Sequence, residues 1–401
     1  MGRLFILFVY WAFQIYILYK IISLIKGLLD GRKRKYAFII LVVFYAWVHF
    51  FGFYLLIVGS FWRPPAEWIV KVFVYPFFGW LIVSVILIFL YLVIDIIRLF
   101  LFYGKKLIGY LRSLSSADSV PSKVEFNKDR RKFLQIVTAG LTAAPVLATG
   151  CSIIFNSRDF LITNIELNFP DLPENLRGLK LAQVSDFHCN EFSPKEVIAK
   201  AVGIINDADI DLVFITGDFV PRQAENIYPC MEAVRECRTR HGIFASIGNH
   251  DYWANARLIT RVVEENGIPV FINCGKTLNI RGEKLNILGV DDMWVGNPNI
   301  NAALDTVEKG HFNILMSHNP DYWETVKRYD IGLTFAGHTH GGQVGIDLFG
   351  IGFHAGEFFH EYNRGLFRDN GKVLYVNQGI GFTGPPIRLN TPPEITFVTL
   401  T

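Results

Sequence analysis

The sequence predicts two parts of different fold class, namely a set of membrane-spanning helices followed by an α/β domain. Residues 1–155 contain four long apolar stretches, whereas residues 156–401 alternate short apolar strands with helix-like segments. A helix that spans a bilayer needs about 20 apolar residues, and alternating strands and helices favour an α/β fold. We therefore expect a membrane region over residues 1–157 and a globular domain over residues 158–401.

Four segments are long and apolar enough to cross a membrane, and we predict helices over residues 4–29, 36–60, 69–102 and 133–155. Neither the second nor the fourth segment contains a charged residue. The alternative is a group of buried core helices, which consecutive apolar stretches of this length argue against. That alternative is strongest for the fourth segment, which is rich in Gly, Ala and Thr.

The charges of the loops predict the orientation of these helices. Residues 1–155 carry 18 Lys and Arg against 6 Asp and Glu, and the excess lies in the first loop (residues 31–35) and the third (residues 105–132). Cytoplasmic loops are enriched in Lys and Arg, so the globular domain is expected on the outer, periplasmic or extracellular, face of a bacterial inner or plasma membrane. Residues 129–135 resemble a twin-arginine export signal, although positive charge beside a helix explains them equally well.

The composition of the globular part excludes some functions. Residues 156–401 carry 21 Lys and Arg against 30 Asp and Glu. Because nucleic-acid binding requires Lys and Arg to neutralise phosphates, no nucleic-acid partner is expected. The five cysteines form no C-x-x-C pair, so neither a zinc ribbon nor a dithiol redox motif is predicted.

Metal-binding residue types recur where the predicted strands of the globular part end. Five segments place such side chains directly after an apolar stretch: Asp186 with His188, Asp218, Asn249 with His250 and Asp251, His318, and His338 with His340. Residues two apart on a strand point to the same side, so a pair such as Asp186 and His188 can point into one cleft. Nitrogen and oxygen ligands without thiolate suit Mn, Fe or Zn in a catalytic site.

Glycines accompany these segments. Gly217, Gly248 and Gly337 each precede a candidate ligand, and Gly341 and Gly342 follow the last one. The absence of a Cβ allows turns that other residues obstruct and lets an anionic substrate approach closely.

In this order the five segments resemble those of the calcineurin-like metallophosphoesterase superfamily, over about residues 158–400. The chain is most similar to a membrane-anchored bacterial branch in residues 337–344, 384–388 and 392–394. The resemblance implies a four-layer sandwich of two mixed β-sheets flanked by helices. It also implies a hydrolase that acts on phosphoric ester or diphosphate bonds with two transition-metal ions.

The resemblance assigns metal-ligand roles to seven residues: Asp186, His188 and His340 for the first metal, Asn249, His318 and His338 for the second, and Asp218 as a bridge between the two. It gives His250 the task of contacting the phosphoryl group or protonating the leaving oxygen, with Asp251 as the residue that orients it. The expected substrate is a phosphate ester, and the nearby bilayer favours a lipid-linked one.

A second functional hypothesis remains open. The chain could be a membrane sensor or transport subunit whose phosphoesterase domain binds a ligand but is catalytically weak. Asp95 and His49 lie within predicted spans, where polar residues are often functional, and they are the sequence features that favour this hypothesis.

Three further features have two interpretations each. The Phe- and Gly-rich segment 349–367, which includes His354 and His360, either packs as an ordinary loop, as we expect, or lines a groove for a lipidic substrate. Arg388 either contacts a phosphate or holds a turn. Cys189 is expected to be a small buried residue rather than a reactive thiol.

Overall fold

The computed structural model describes residues 2–58, 67–114, 128–151, 159–348, 351–384 and 387–401. The chain divides into two compact units, Met1–Cys151 and Ser152–Thr401. The second predicted loop and the last residues of the predicted spans 36–60 and 133–155 lie outside the described residues, as do Pro385 and Pro386.

The first unit is helical. It consists of α1 (Gly2–Leu28), α2 (Gly31–Val58), the short α3 (Glu67–Ile69), a π-helical turn at Val70–Val74, α4 (Tyr75–Leu114) and α5 (Lys128–Cys151). The four long helices are long and apolar enough to cross a membrane, which confirms the four predicted helices. Their ends differ from the prediction. Helix α4 continues to Leu114 rather than residue 102, because the Lys and Arg residues that follow the apolar stretch are good helix formers.

Polar contacts between helices stabilise the first unit. Trp80 Nε1 donates a hydrogen bond to Gln14 Oε1 at 2.9 Å, and Gln14 Nε2 donates to Ser84 Oγ at 3.1 Å. Lys20 on α1 forms an ion pair with Asp95 on α4. Such bonds hold apolar helices together where the hydrophobic effect between them is weak. Asp95 thus has a structural task.

The second unit contains two mixed β-sheets and a two-stranded ribbon. In spatial order, the first sheet comprises β1 (Leu161–Leu167), β13 (Glu394–Leu400), β2 (Lys180–Val184), β3 (Leu212–Thr216) and β4 (Gly242–Ser246). The second comprises β11 (Gly365–Asp369), β12 (Lys372–Val376), β8 (Leu333–Ala336), β7 (Phe312–Met316), β6 (Glu283–Gly289) and β5 (Cys274–Ile280). The ribbon pairs β9 (Gly345–Leu348) with β10 (Ile351–His354).

Helices cover the outer face of each sheet. The described part of this unit forms six α-helices: α6 (Lys195–Asp207), α7 (Ile227–Val234), α8 (Asn249–Ala254), α9 (Ala256–Glu265), α10 (Ile300–Leu304) and α11 (Trp323–Val326). Helices α6, α7 and α9 pack on the first sheet, and α10 and α11 pack on the second. Between the sheets, side chains such as Phe214, Phe335 and Tyr375 form a shared buried core. The four-layer sandwich of two mixed sheets that the resemblance implies is therefore confirmed.

The strand directions bring the predicted ligands to one edge of the sandwich. Strands β2, β3 and β4 run parallel in the first sheet, and β6, β7, β8 and β12 run parallel in the second. The carboxyl ends of parallel strands meet at the same edge of a sheet. The two sheets are also bonded to each other, since Gln183 Nε2 donates to the Ala336 carbonyl at 2.8 Å.

Candidate metal centre

The loops that follow β2 and β8 bring three predicted ligands together. Potential ligand atoms of Asp186, His188 and His340 all lie within 4.8 Å of one another. The two Nε2 atoms of His188 and His340 are 3.1 Å apart, and Asp186 Oδ1 lies 3.3 Å from His340 Nε2. Asp186 and His188 are completely buried. These residues form the first half of a candidate metal centre.

The second half is formed by the loops that follow β3, β7 and β8. Atoms of Asp218, His318 and His338 again lie within 4.8 Å of one another. His318 Nε2 is 3.2 Å from Asp218 Oδ2 and 3.3 Å from His338 Nδ1. Asp218 Oδ2 is also 3.5 Å from His188 Nε2, so this carboxylate joins the two halves. Asn249 lines the same cleft as Asp218 and His338.

Buried oxygen atoms without hydrogen-bond partners indicate that the candidate ligands suit a cation. Among the described residues, no hydrogen-bond partner is found for Asp186 Oδ1 or Asn249 Oδ1, although both atoms are buried. An unsatisfied buried polar atom costs about 1–3 kcal/mol. In addition, His188 and His340 direct ring nitrogens at each other beside carboxylates. A cation between these groups would satisfy them all, and the donor set of imidazole, carboxylate and amide suits Mn, Fe or Zn.

The main chain at the centre is in an uncommon conformation. Five candidate ligands have positive φ angles: Asp186 (52°), His188 (42°), Asp218 (57°), His338 (72°) and His340 (53°). The left-handed region is rarely occupied by residues other than glycine and costs about 1–3 kcal/mol per residue. Such strain clusters at functional sites, where it fixes the direction of a side chain.

Two glycines allow the ligands to pack against the backbone. A Cβ at Gly248 would overlap Asp218 Oδ1 and the His318 ring. A Cβ at Gly337 would overlap the hydroxyl of Ser185 and the carboxylate of Asp186. The glycines predicted beside the motifs therefore create space for the ligands themselves.

The carboxylates of the centre are held in the charged form. Burial opposes ionisation of Asp218, but the neighbouring imidazoles of His318 and His188 outweigh it and lower the pKa of Asp218. The pKa of Asp186 is also well below its usual value, because His340 and His188 outweigh the effect of burial. Two buried negative charges are thus available to neutralise metal ions.

His250 adjoins the centre and is fixed by main-chain groups. Its Nδ1 lies 2.7 Å from the Pro221 carbonyl, and its backbone N–H donates to Asp218 Oδ1 at 2.9 Å. Its ring packs edge-on against the ring of His188, with centroids 4.6 Å apart. The orienting contact therefore comes from Pro221, whereas the resemblance implied that Asp251 would provide it.

Asp251 instead holds neighbouring loops together. Its buried carboxylate accepts hydrogen bonds from the backbone N–H groups of Asp218 (2.9 Å), Phe219 (2.9 Å) and Gly248 (3.0 Å). The side chain therefore positions the loops after β3 and β4, which carry Asp218 and Asn249.

Comparison with known proteins agrees with this geometry. Residues 179–342 match the family model described as calcineurin-like phosphoesterase. The globular domain belongs to the calcineurin-like metallophosphoesterase superfamily. The chain is accordingly a metal-dependent hydrolase of phosphoric esters, and the family uses a dinuclear transition-metal centre.

Three relatives show how widely the similarity extends. The uncharacterized metallophosphoesterase YkuE of Bacillus subtilis is 29% identical over 233 residues, which are 57% of this chain and 81% of that protein. The phosphodiesterase YaeI of Escherichia coli is 27% identical over 278 residues, 68% of this chain and 98% of that protein. The transmembrane protein with metallophosphoesterase domain of Danio rerio is 28% identical over 254 residues, 60% of this chain and 57% of that protein.

The metallophosphoesterase centre includes a residue that the sequence did not predict. Thr383 Oγ1 lies 2.7 Å from His340 Nε2 and 3.1 Å from His188 Nε2. No motif or spacing relates Thr383 to these histidines, since it lies in a loop before β13. Only the fold brings it to the site.

Beside the centre lies a cleft of about 690 Å³. Trp253, Trp294, Phe359 and His360 line it together with Asp218, Asn249, His250, His338 and His340. The segment that includes His360 thus contributes to the cleft of the metallophosphoesterase, although we expected it to pack as an ordinary loop. Its sequence carries no metal-ligand pattern, and the fold alone places it there.

Of the two roles considered for Arg388, contact with a phosphate and holding of a turn, its contacts support the second. The side chain is 1% exposed and donates to the carbonyl oxygens of Gln378 (2.9 Å), Gly379 (3.1 Å) and Thr391 (3.1 Å). Its Nη2 also lies 3.1 Å from His340 Nδ1. Burial lowers the pKa of Arg388 to about 10. Arg388 therefore holds together the loops behind His340.

Cys189 is 2% exposed and belongs to the core between the first sheet and its helices.

Proposed function

We propose that this chain hydrolyses a phosphate ester or diphosphate at the outer face of a bacterial inner or plasma membrane. The observation that carries the proposal is the convergence of two groups of buried or half-buried ligands, joined by Asp218, at one cleft. The first group is Asp186, His188 and His340, and the second includes His318 and His338.

The proposed roles follow from the positions of the side chains. When bound, two transition-metal ions would neutralise the phosphate and supply hydroxide for in-line attack on phosphorus. Asp186, His188 and His340 would hold one ion, Asn249, His318 and His338 would hold the other, and Asp218 would contact both. Because Pro221 engages Nδ1 of His250, the other ring nitrogen is left for the phosphoryl group or the leaving oxygen.

The membrane region supports the proposed location. Its basic first and third loops indicate the cytoplasmic side, and the Danio rerio relative is also named a transmembrane protein. Four candidate spans would anchor the chain in a bilayer. A lipid-linked phosphate ester is therefore the substrate that we propose.

Replacing the bridging carboxylate tests the enzymatic proposal. We expect Asp218→Asn, in the full-length manganese-loaded protein, to lower hydrolysis of a generic phosphodiester by at least about 100-fold, because a metal ligand is weakened. The matched control is Asp305→Asn, which makes the same change at an exposed position. Metal content is measured in parallel.

Equal rates for the wild type and Asp218→Asn would favour the alternative function, a membrane sensor or transport subunit. A panel of monoesters, diesters and diphosphate lipids then identifies the bond that the enzyme cleaves.

A further inference from the structure

Trp294, Phe359 and His360, which we call the aromatic wall, line the metallophosphoesterase cleft. Trp294 is 55% exposed and Phe359 is 81% exposed, and both line the cleft together with His360. Met293 and Val295, which flank Trp294, are also exposed. Large apolar side chains grouped around a cleft are typical of a binding surface.

Two members of the wall, Trp294 and His360, are held in place by their neighbours. His360 Nδ1 lies 3.0 Å from Asp321 Oδ2, which fixes the imidazole ring. That ring stacks on the indole of Trp294, with centroids 6.1 Å apart and planes inclined by 20°. Trp294 also packs edge-on against His338, with centroids 4.2 Å apart. The indole is thus fixed on two sides while more than half of it faces solvent.

The charges of the cleft limit what the wall can bind. No Lys or Arg occurs among the described residues that line the cleft. A ligand with several phosphates or carboxylates would therefore meet no Lys or Arg among these lining residues. Arg222 stands outside the lining, with its guanidinium carbon 5.5 Å from the centroid of the Trp253 ring. An apolar group gains about 25 cal/mol for each Å² that it buries against such a wall.

We propose that Trp294, Phe359 and His360 bind a long apolar group esterified to the scissile phosphate, so that the substrate is an amphipathic phosphate ester. Asp321 acts as a positioning residue because it fixes His360, on which Trp294 stacks. This inference rests on the proposed function and identifies the substrate class of the same site. The apolar chain belongs to a bilayer lipid or to a free amphiphile.

The test compares esters that differ only in chain length. Full-length protein in nanodiscs with manganese is given methyl and hexyl 4-nitrophenyl phosphate, which are both water-soluble. We expect the wild type to have about tenfold higher kcat/KM for the hexyl ester, mainly through KM. Phe359→Ser and Trp294→Ala should remove that preference, whereas Trp294→Phe should retain most of it.

A matched control and a positioning variant complete the test. Tyr228→Ser removes an aromatic ring on α7 that is about as exposed as Trp294 and lies far from the wall in sequence, and it should keep the preference. Asp321→Asn should raise KM for the hexyl ester with little change in kcat, because it loosens the wall without touching the reacting atoms. A hexadecyl ester embedded in the nanodisc distinguishes the two sources of the chain. A larger preference for that ester assigns it to a bilayer lipid.

Two results would overturn the proposal. One is a wild type without chain-length preference, and the other is a preference that Phe359→Ser and Trp294→Ala both retain. Calorimetric binding of methyl- and hexylphosphonate tests the wall without turnover. A third result is that neither ester is hydrolysed while hexylphosphonate still binds about tenfold more tightly than methylphosphonate in a Phe359-dependent manner. That result would contradict the proposed function but would support binding of an apolar group by the wall.

Discussion

Gly248 illustrates how closely the candidate ligands surround the main chain. Because a Cβ at this position would overlap Asp218 and His318, we expect Gly248→Ala to displace both ligands. Metal content and diester hydrolysis should each fall by at least about tenfold. The matched control is Gly203→Ala in α6, where a Cβ meets open space. This variant should stabilise the domain by about 0.5–1 kcal/mol. Normal metal content in Gly248→Ala would contradict this close packing.

Arg388 tests the difference between a structural and a substrate-binding arginine. We expect Arg388→Met to lower the free energy of unfolding of the domain by about 3 kcal/mol or more, since several buried carbonyl groups lose their donor. Urea denaturation of the full-length protein measures this, with the exposed Arg368→Met as control. A variant of normal stability with a raised KM would instead indicate contact with substrate phosphate.

The candidate ligands were predictable at the residue scale because each follows an apolar strand in a short motif. Thr383 and Trp294 were not, since they come from loops without any pattern and reach the site only through the fold. The positive φ angle of His188 was equally hidden, because non-glycine residues adopt that region only where the surrounding structure imposes it.

At the scale of elements, β13 shows the alternation between buried and half-buried faces. Leu400 is completely buried in the core between the sheets, whereas Thr399 points to the opposite face. We expect Leu400→Ala to cost about 2–5 kcal/mol of unfolding free energy. Thr399→Ala on the same strand should change it by less than about 0.5 kcal/mol. Similar losses for both variants in urea denaturation would refute this assignment of faces.

Hydropathy predicted that four membrane helices exist but not where each ends. Helix α2 begins at Gly31, before the apolar stretch, and includes the basic residues 32–35. Hydropathy shows which residues can lie in the apolar part of a bilayer. A helix can extend beyond them, as long as its backbone hydrogen bonds and residue propensities allow. The strands that precede the five motifs were better defined, because a motif marks the end of each of them.

For the whole molecule, the orientation in the membrane is the proposal with the widest consequences. A reporter that is active only outside the cytoplasm, fused after residue 160, should be active because two basic loops mark the cytoplasmic side. The same reporter fused after residue 32 is the matched control and should be inactive. The reverse pattern would place the hydrolase in the cytoplasm and would remove outer-leaflet lipids from the candidate substrates.

The position of β13 has a consequence for biogenesis. This strand lies between β1 and β2, and its Glu394 bonds to Thr163, 231 positions earlier. Pairing between strands so far apart in the sequence is slow. Until β13 has been synthesised, β1 cannot join the rest of the first sheet. While the ribosome is still translating the motif at His338, the chain thus lacks the strand that joins β1 to β2. We therefore expect the metals to bind after β13 has paired, so that the compartment in which the domain completes its fold determines which ions compete for it.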